Sequence, residues 1–170
     1  EAGQSITDVE IQSGRYAHST FKWVRKDYFI RFAYEATDKL IRFTDYKDIK
    51  YRSRTVFSFH RPETLRELLR QPDTIRNNMK HFPVLDETGF RKCQVNAIKK
   101  LEESFADNRP KALVQMATGA GKTFTAITAS YRLLKYGKIN RILFLVDTKG
   151  LGEQAEREFL AYTPTDDPRS

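Results

Sequence analysis

The stretch QMATGAGKTFTA, residues Gln115–Ala126, has two glycines followed by a lysine and a threonine, between an apolar run and a helix-like pattern. Backbone N–H groups that converge at a helix N-terminus bind phosphate, and glycine allows the backbone to come close to it. Gly119 and Gly121 supply this freedom. Lys122 can reach the β- and γ-phosphates of a nucleotide, and the Thr123 hydroxyl can bind Mg²⁺. The stretch therefore predicts a nucleotide phosphate loop, and a glycine-rich turn without a ligand is the alternative.

The residues on both sides of this loop have the patterns of a strand and a helix. KALVQMA (Lys111–Ala117) is a short apolar run typical of a buried strand. Met116 stands where the full motif has a glycine, so the chain carries a shorter form, threonine–glycine–any–glycine–lysine–threonine. A helix is predicted over Lys122–Lys135, because apolar residues recur there at spacings of three and four: Phe124, Ile127, Tyr131 and Leu134.

The second half of the chain continues this alternation of helices and apolar strands. Apolar strands that alternate with amphipathic helices predict βαβ units and a parallel sheet, with ligands bound at the carboxyl ends of the strands. The predicted fold class is therefore α/β, a RecA-like sheet in part. Its elements are a helix at Cys93–Ala106, the strand Lys111–Ala117, the helix Lys122–Lys135, a strand at Arg141–Asp147 and a helix at Gly150–Tyr162.

The first half has a different pattern, that of a small α+β segment. Ser5 and Asp8 resemble a capping box, which predicts a helix at Thr7–Ala17. Alternation across residues 27–45 predicts two strands around a turn at Ala36–Lys39, and Pro62 is placed near the start of a further helix. A polar, proline-marked stretch then indicates a linker. The predicted division is residues 1–71, a linker at 72–89, and residues 90–170.

Composition limits the class of protein. With 170 residues, of which 39% are hydrophobic and 12% aromatic, the chain can bury a core. Its apolar runs are shorter than the roughly 20 residues that a membrane span needs. The single cysteine, Cys93, indicates a reducing cytoplasm, and the three scattered histidines favour no zinc site. The net charge of +8 indicates a polyanionic partner such as nucleic acid, with an ordinary basic surface as the alternative.

Two polar residues ahead of the phosphate loop are candidates for binding the nucleotide base. A glutamine amide can pair with both N6 and N7 of adenine, one donor to one acceptor. Gln94 lies at the head of the predicted helix, with Arg91 near it. The sequence therefore predicts that Gln94 binds adenine, and the alternative is a solvent-exposed polar residue at a helix start.

The stretch FRKCQVNAIKKLEESF, the phosphate loop and RILFLVDTKGLGEQAEREF resemble the start of the motor domain in the R subunit of type I restriction enzymes. RSRTVFSFHRPETLRELL resembles the stretch that precedes the motor in that family. The loop itself has the form found in superfamily 2 helicases and translocases. The resemblance implies a nuclease of the PD-(D/E)xK type followed by two RecA-like domains that pump double-stranded DNA. It also implies methyltransferase and specificity subunits as partners.

The resemblance further assigns roles to individual residues. Lys122 would stabilise phosphoryl transfer from ATP, and Thr123 would bind Mg²⁺. Gln12 and Tyr16, in QSGRY, match the glutamine–three–tyrosine motif of many such nucleases and would order the metal site or the DNA. The segment VDTKGLGEQ would contact the DNA backbone through Lys149 and Gln154, or would be a simple strand-to-helix loop. Nucleotide contacts are expected from Gln94, Arg91, Thr118, Gly119, Ala120, Gly121, Lys122 and Thr123.

Several family features differ or are missing from the sequence. Cys93 stands where the family has tyrosine, and Thr148 where arginine is common. The acidic–any–lysine triad of the nuclease, the acidic pair of the motor, its arginine fingers and the second RecA-like domain are not in the 170 residues. We therefore expect this chain to be a fragment that lacks DNA cleavage and ATP turnover by itself. The alternatives are another superfamily 2 DNA helicase, such as a repair helicase, and a non-catalytic nucleotide- or DNA-binding module.

Overall fold

The computed structural model describes residues 6–20, 22–23 and 29–164. The chain divides into two compact units, Glu1–Thr74 and Ile75–Ser170, called unit 1 and unit 2 below. The boundary falls inside the stretch predicted as a linker, at residues 72–89. No helix in the described ranges is long and apolar enough to cross a bilayer.

Unit 1 combines two helices with an antiparallel sheet of three strands in the order β1-β2-β3. The predicted N-terminal helix, the two strands around a turn and the helix at Pro62 are confirmed, while β3 was not predicted. Ser5 and residues 27–28, used in those predictions, lie outside the described residues. The elements are α1 (Ile6–Ala17), β1 (Phe32–Ala36), β2 (Ile41–Asp45), β3 (Arg54–Val56) and α2 (Pro62–Arg70).

The hairpin between β1 and β2 is closed by Thr37. Its backbone N–H donates to the Leu40 carbonyl at 2.8 Å, and its hydroxyl accepts from the backbone N–H of Leu40 at 3.1 Å. Threonine hydroxyls that bond backbone groups two or three residues on favour such turns. This turn sets the register in which Ala36 pairs with Ile41, so Phe43 points into the core, where it is fully buried.

A buried ion pair ties the sheet of unit 1 to α2. Arg31 donates from Nε and Nη2 to the two carboxylate oxygens of Asp45, at 2.8 and 2.7 Å. Nη1 of Arg31 donates to the Leu68 carbonyl in α2. Both partners are 6% exposed. Because each charge is neutralised by a bidentate contact, the pair can be buried, whereas removal of either partner would leave a buried charge.

Unit 2 is helical. The three long helices predicted in this half of the chain are confirmed, each to within one residue at either end. α4 packs on α5, and α5 packs on α6. The elements are α3 (Ile75–Asn78), a 3₁₀ turn (Met79–His81), α4 (Lys92–Ala106), α5 (Lys122–Tyr136) and α6 (Lys149–Ala161).

The predicted parallel sheet of unit 2 is not present among the residues that the structure describes. Residues 111–117 and 141–147 were predicted as strands, but neither has the backbone ladder of a strand. Leu113, Leu143 and Leu145 are 93%, 81% and 80% exposed. A strand requires a hydrogen-bonded neighbour, and these two runs do not pair with each other. Beside 111–117 lies an open groove of about 720 Å³, lined on the other side by α4.

The stretch predicted as a linker is largely part of unit 2. Leu85 packs with Val95 and Ile98 of α4 in its hydrophobic core. The Pro83 carbonyl accepts a hydrogen bond from Arg132 of α5 at 2.7 Å. Polarity and prolines suggested a free connector, but buried apolar side chains and a hydrogen bond to α5 anchor the segment.

Candidate nucleotide-binding site

The phosphate loop has a conformation that only glycine adopts without strain. Gly119 and Gly121 have φ angles of 75° and 82°, in the left-handed region. The Ala120 N–H donates to the Ala117 carbonyl at 3.2 Å, which closes a tight turn with Thr118 and Gly119 at its centre. α5 begins immediately afterwards, at Lys122. Both positive φ angles of the loop therefore lie directly before the helix.

The N-terminus of α5 has no side-chain cap within the described part of the chain. Its N-cap residue is Gly121, which has no side chain to accept from the first turn. The first N–H groups of any helix lack an acceptor inside the helix, and the helix dipole places partial positive charge there. An anion is the ligand that satisfies both conditions, so the loop fits a nucleotide phosphate.

Lys122 and Thr123 are the two side chains at this helix start that could hold ATP and Mg²⁺. Lys122 is exposed, and its Nζ donates to the Ala117 carbonyl at 3.3 Å across the loop. This long contact to a neutral carbonyl leaves the ammonium able to bind a phosphate instead. Thr123 is half-buried, and Thr118 is exposed at the loop entrance. A hydroxyl oxygen is a suitable Mg²⁺ ligand when phosphate oxygens share the ion.

Gln94 joins the start of α4 to the phosphate loop. Its Oε1 accepts from the backbone N–H of Arg91, the N-cap residue of α4, at 2.9 Å. Its Nε2 donates to the Ala120 carbonyl at 3.0 Å, and the residue is 6% exposed. A neutral amide has two acceptor lone pairs and two N–H donors. One lone pair and one N–H therefore remain, the complement that an adenine edge requires.

Arg91 also binds the loop. Its Nη1 donates to the Gly119 carbonyl at 2.6 Å. The sequence named Arg91 as a nucleotide-binding residue, and its contact with the loop backbone was not predicted. Arg91 and Gln94 thus hold two successive loop carbonyls, those of Gly119 and Ala120, and keep these oxygens turned toward α4.

Thr125 is a supporting residue that the sequence reasoning missed. Its hydroxyl donates to the Gly121 carbonyl at 2.9 Å, and the residue is buried. A threonine hydroxyl in a helix can donate to the carbonyl four residues earlier. Because Thr125 lies four residues after Gly121, the sequence spacing could have predicted this contact.

Gln12 and Tyr16 lie together on α1 in unit 1. Nε2 of Gln12 donates to the Tyr16 hydroxyl at 2.9 Å, and both residues are exposed. The predicted shared helix face is confirmed, because residues four apart lie one turn above each other. Within the described residues, no cluster of three or more acidic, histidine or cysteine side chains could hold a metal ion.

The start of α6 is built differently from that of α5. Thr148 is its N-cap, and its hydroxyl accepts from the Leu151 N–H at 3.4 Å. Lys149 pairs with Glu153 at 3.5 Å, and Gln154 donates to Glu158 at 2.8 Å. The two residues predicted to contact DNA here are therefore engaged with carboxylates of their own helix.

Comparison with known proteins finds relatives whose names all describe restriction-enzyme subunits. Residues 87–169 match the family described as "Type III restriction enzyme, res subunit". The chain is 38% identical over 126 residues to the type I restriction enzyme EcoKI endonuclease subunit of Escherichia coli K12, covering 72% of the chain. It is 32% identical over 98 residues to the SsaAORF53P endonuclease subunit of Staphylococcus saprophyticus, covering 55% of the chain.

A third relative is the EcoAI endonuclease subunit of Escherichia coli, 41% identical over 66 residues, or 39% of the chain. The chain spans only 11%, 10% and 8% of the lengths of these three curated relatives. No solved structure matches the chain. The matched segments and their shared names show that the chain belongs to the same sequence family as the endonuclease subunits of type I restriction enzymes.

Proposed function

We propose that this chain is part of an ATP-dependent DNA translocase and endonuclease, the R subunit of a type I restriction system. The observation that carries the ATP-binding part of the proposal is the uncapped N-terminus of α5 behind Gly121, with Lys122 beside it. The endonuclease subunits to which the chain is similar support the same reading.

In this proposal the residues of the loop bind and orient ATP. The N–H groups at the start of α5 and the Lys122 ammonium hold the phosphates, while Thr123 is a ligand of Mg²⁺. Gln94 binds the adenine edge with its remaining lone pair and N–H. Mg²⁺, when bound with ATP, neutralises charge on the phosphates. The protein groups contribute positioning and charge stabilisation, because phosphoryl transfer requires little covalent chemistry from them.

The proposed second partner is double-stranded DNA. The net charge of +8 favours phosphate contacts. Gln12 and Tyr16 are proposed to order the nuclease site of unit 1. In the longer protein, further strands are proposed to pair with residues 111–117 and 141–147, so that unit 2 forms part of a RecA-like parallel sheet. Methyltransferase and specificity subunits are the proposed protein partners, in the cytoplasm.

A different superfamily 2 motor, such as a repair helicase, is the second candidate. The phosphate loop and its support by α4 fit either motor equally well. The contact between Gln12 and Tyr16 ahead of the motor favours the restriction enzyme, because a helicase has no need of a nuclease motif there. A binding module without catalysis is the third candidate.

Hydrolysis of ATP by the full-length protein that contains this chain tests the proposal. We expect Lys122→Ala to abolish DNA-stimulated phosphate release, and DNA cleavage with it, while the fold is retained. Lys135→Ala, which removes an exposed lysine at the other end of the same helix, is the matched control and should be as active as the native protein. Normal turnover in a folded Lys122→Ala protein would refute the proposal.

A further inference from the structure

Exposed aromatic rings and arginines recur in the segment that contains strand β3 and the residues on both sides of it. Phe57 is 102% exposed, and Phe59 and Tyr51 are 56% and 51% exposed. Three exposed aromatic side chains within residues 51–59, next to arginines, make this segment a candidate binding surface. The aromatic–basic strip consists of Tyr51, Arg52, Arg54, Phe57, Phe59 and Arg61.

Contacts with Tyr34 of β1 hold Phe59 and the backbone of the next residue in place. The Phe59 ring packs on Tyr34 of β1 with a centroid distance of 5.1 Å. The next residue, His60, shares a hydrogen bond of 2.6 Å between its Nδ1 and the Tyr34 hydroxyl, and its backbone N–H donates to the same hydroxyl at 3.2 Å. Phe59 is therefore presented by a fixed backbone, which lowers the entropy cost of binding a ligand there.

The charge of the strip is positive throughout. Residues 49–62 contain no aspartate or glutamate. Arg52 and Arg61 are exposed, and the Arg54 guanidinium lies over the Phe43 ring at 5.3 Å. The carboxylate that Ser53 contacts belongs to Glu35, which is only 3% exposed. The surface therefore offers arginines to an anion and ring faces to flat apolar groups.

We propose that the aromatic–basic strip binds an unpaired nucleic-acid strand, with bases stacked on Phe57 and Phe59 and phosphates on Arg52 and Arg61. Aromatic side chains within a basic surface are the combination that binds single strands, because every base has a face that can stack. In a duplex these faces are covered by neighbouring bases, so the arginines alone would contact it. This inference deepens the DNA partner of the proposed function and rests on it.

Fluorescence anisotropy of the 170-residue chain with a labelled thymidine 20-mer, and with a duplex of equal length, tests the inference. We expect Phe57→Ala to weaken single-strand binding about 5-fold or more and to leave duplex binding unchanged, since one stacked base is worth about 1–3 kcal/mol. Arg52→Ala should weaken both and reduce their salt dependence. Leu160→Ala, which removes another exposed apolar side chain (81%), is the control and should have no effect.

Three results would overturn the inference. The chain could fail to bind the single strand, Phe57→Ala could leave single-strand affinity unchanged, or Phe57→Ala could lower the affinities for single strand and duplex equally. A loss of self-association or of protein partners in Phe57→Ala, with single-strand binding intact, would instead assign the strip to a protein contact. Because Phe57 is fully exposed, its removal should leave the thermal midpoint unchanged, which circular dichroism checks. Lys122→Ala leaves the strip intact, so failure here and failure of the proposed ATP site are distinguishable.

Discussion

The side-chain amide of Gln94 donates a hydrogen bond to the carbonyl of Ala120 at 3.0 Å, so that the first turn of α4 holds the phosphate loop. The same amide accepts from the Arg91 N–H at 2.9 Å. A change in the position of α4 would therefore be transmitted to the loop. The contact also fixes the orientation of the lone pair and N–H that remain on the amide.

Replacement of Gln94 should narrow the preference for ATP over GTP. In Gln94→Ala we expect ATP binding to weaken by roughly 1–3 kcal/mol, the value of one bidentate base contact, and GTP binding to weaken less. Competition between the two nucleotides measures the ratio, and Asn96→Ala, at an exposed position of α4, is the control. An unchanged ratio would mean that Gln94 acts on the loop alone.

The two glycines of the loop should differ in their tolerance of alanine. A Cβ on Gly121 would lie 2.3 Å from Nε2 of Gln94, whereas a Cβ on Gly119 would meet no atom within 4 Å. Both substitutions impose left-handed strain of about 1–2 kcal/mol. We expect Gly121→Ala to lower the free energy of unfolding further and to abolish nucleotide binding. Chemical denaturation of the two variants compares them, and equal losses would contradict the structure.

Loss of one partner of the ion pair between Arg132 and Glu102 should strongly destabilise unit 2. Nε of Arg132 lies 2.6 Å from Oε1 of Glu102, with side-chain exposures of 7% and 15%. We expect Arg132→Met to cost about 3–5 kcal/mol, because Glu102 would keep a buried, unpaired charge. The exposed pair of Lys99 and Glu87 is the control, and Lys99→Met should cost less than about 1 kcal/mol.

A double variant distinguishes the lost pair from simple loss of packing. Arg132→Met combined with Glu102→Leu removes both charges, so it should recover part of the stability lost in Arg132→Met. Denaturation in urea gives the three free energies. A double variant less stable than Arg132→Met would show that the charge of Glu102 is not the source of the loss.

The stability of unit 1 should decrease in mild acid because of His60. Burial lowers the pKa of His60 below its ordinary value of 6.5, and the nearby Arg54 lowers it further. Folding therefore favours the neutral ring. The stability that this provides is complete above pH 6.5 and is lost as the pH falls from 6.5 through the lowered pKa.

Thermal midpoints between about pH 7.5 and pH 5 measure this effect. In His60→Gln the part of the pH dependence that belongs to His60 should disappear, while the part due to carboxylates remains. Parallel pH profiles of the native and variant proteins would contradict the assignment.

The local elements of this chain were predictable from sequence, because caps and apolar spacing act within a few residues. α5 was expected at Lys122–Lys135 and extends over Lys122–Tyr136. The shared helix face of Gln12 and Tyr16 followed from helical spacing alone. Both depend on neighbours within four positions.

The remaining features depend on contacts distant in sequence. Residues 111–117 have the composition of a strand, but a strand also needs a partner, and composition does not supply one. Arg91 was expected to contact the nucleotide, and its hydrogen bond to the Gly119 carbonyl was not predicted. That contact spans 28 residues and depends on how α4 packs beside the loop, which periodicity does not specify.

The most direct test of the central claim, that the loop before α5 binds a nucleotide, is a titration of the ¹⁵N-labelled 170-residue chain with ATP and Mg²⁺ followed by NMR. We predict that the amide resonances of Gly119, Gly121, Lys122 and Thr123 shift with increasing ATP, and that these shifts are lost in a folded Lys122→Ala chain. The account would be contradicted if the loop resonances did not shift at the highest ATP concentration. It would also be contradicted if they shifted equally in Lys122→Ala.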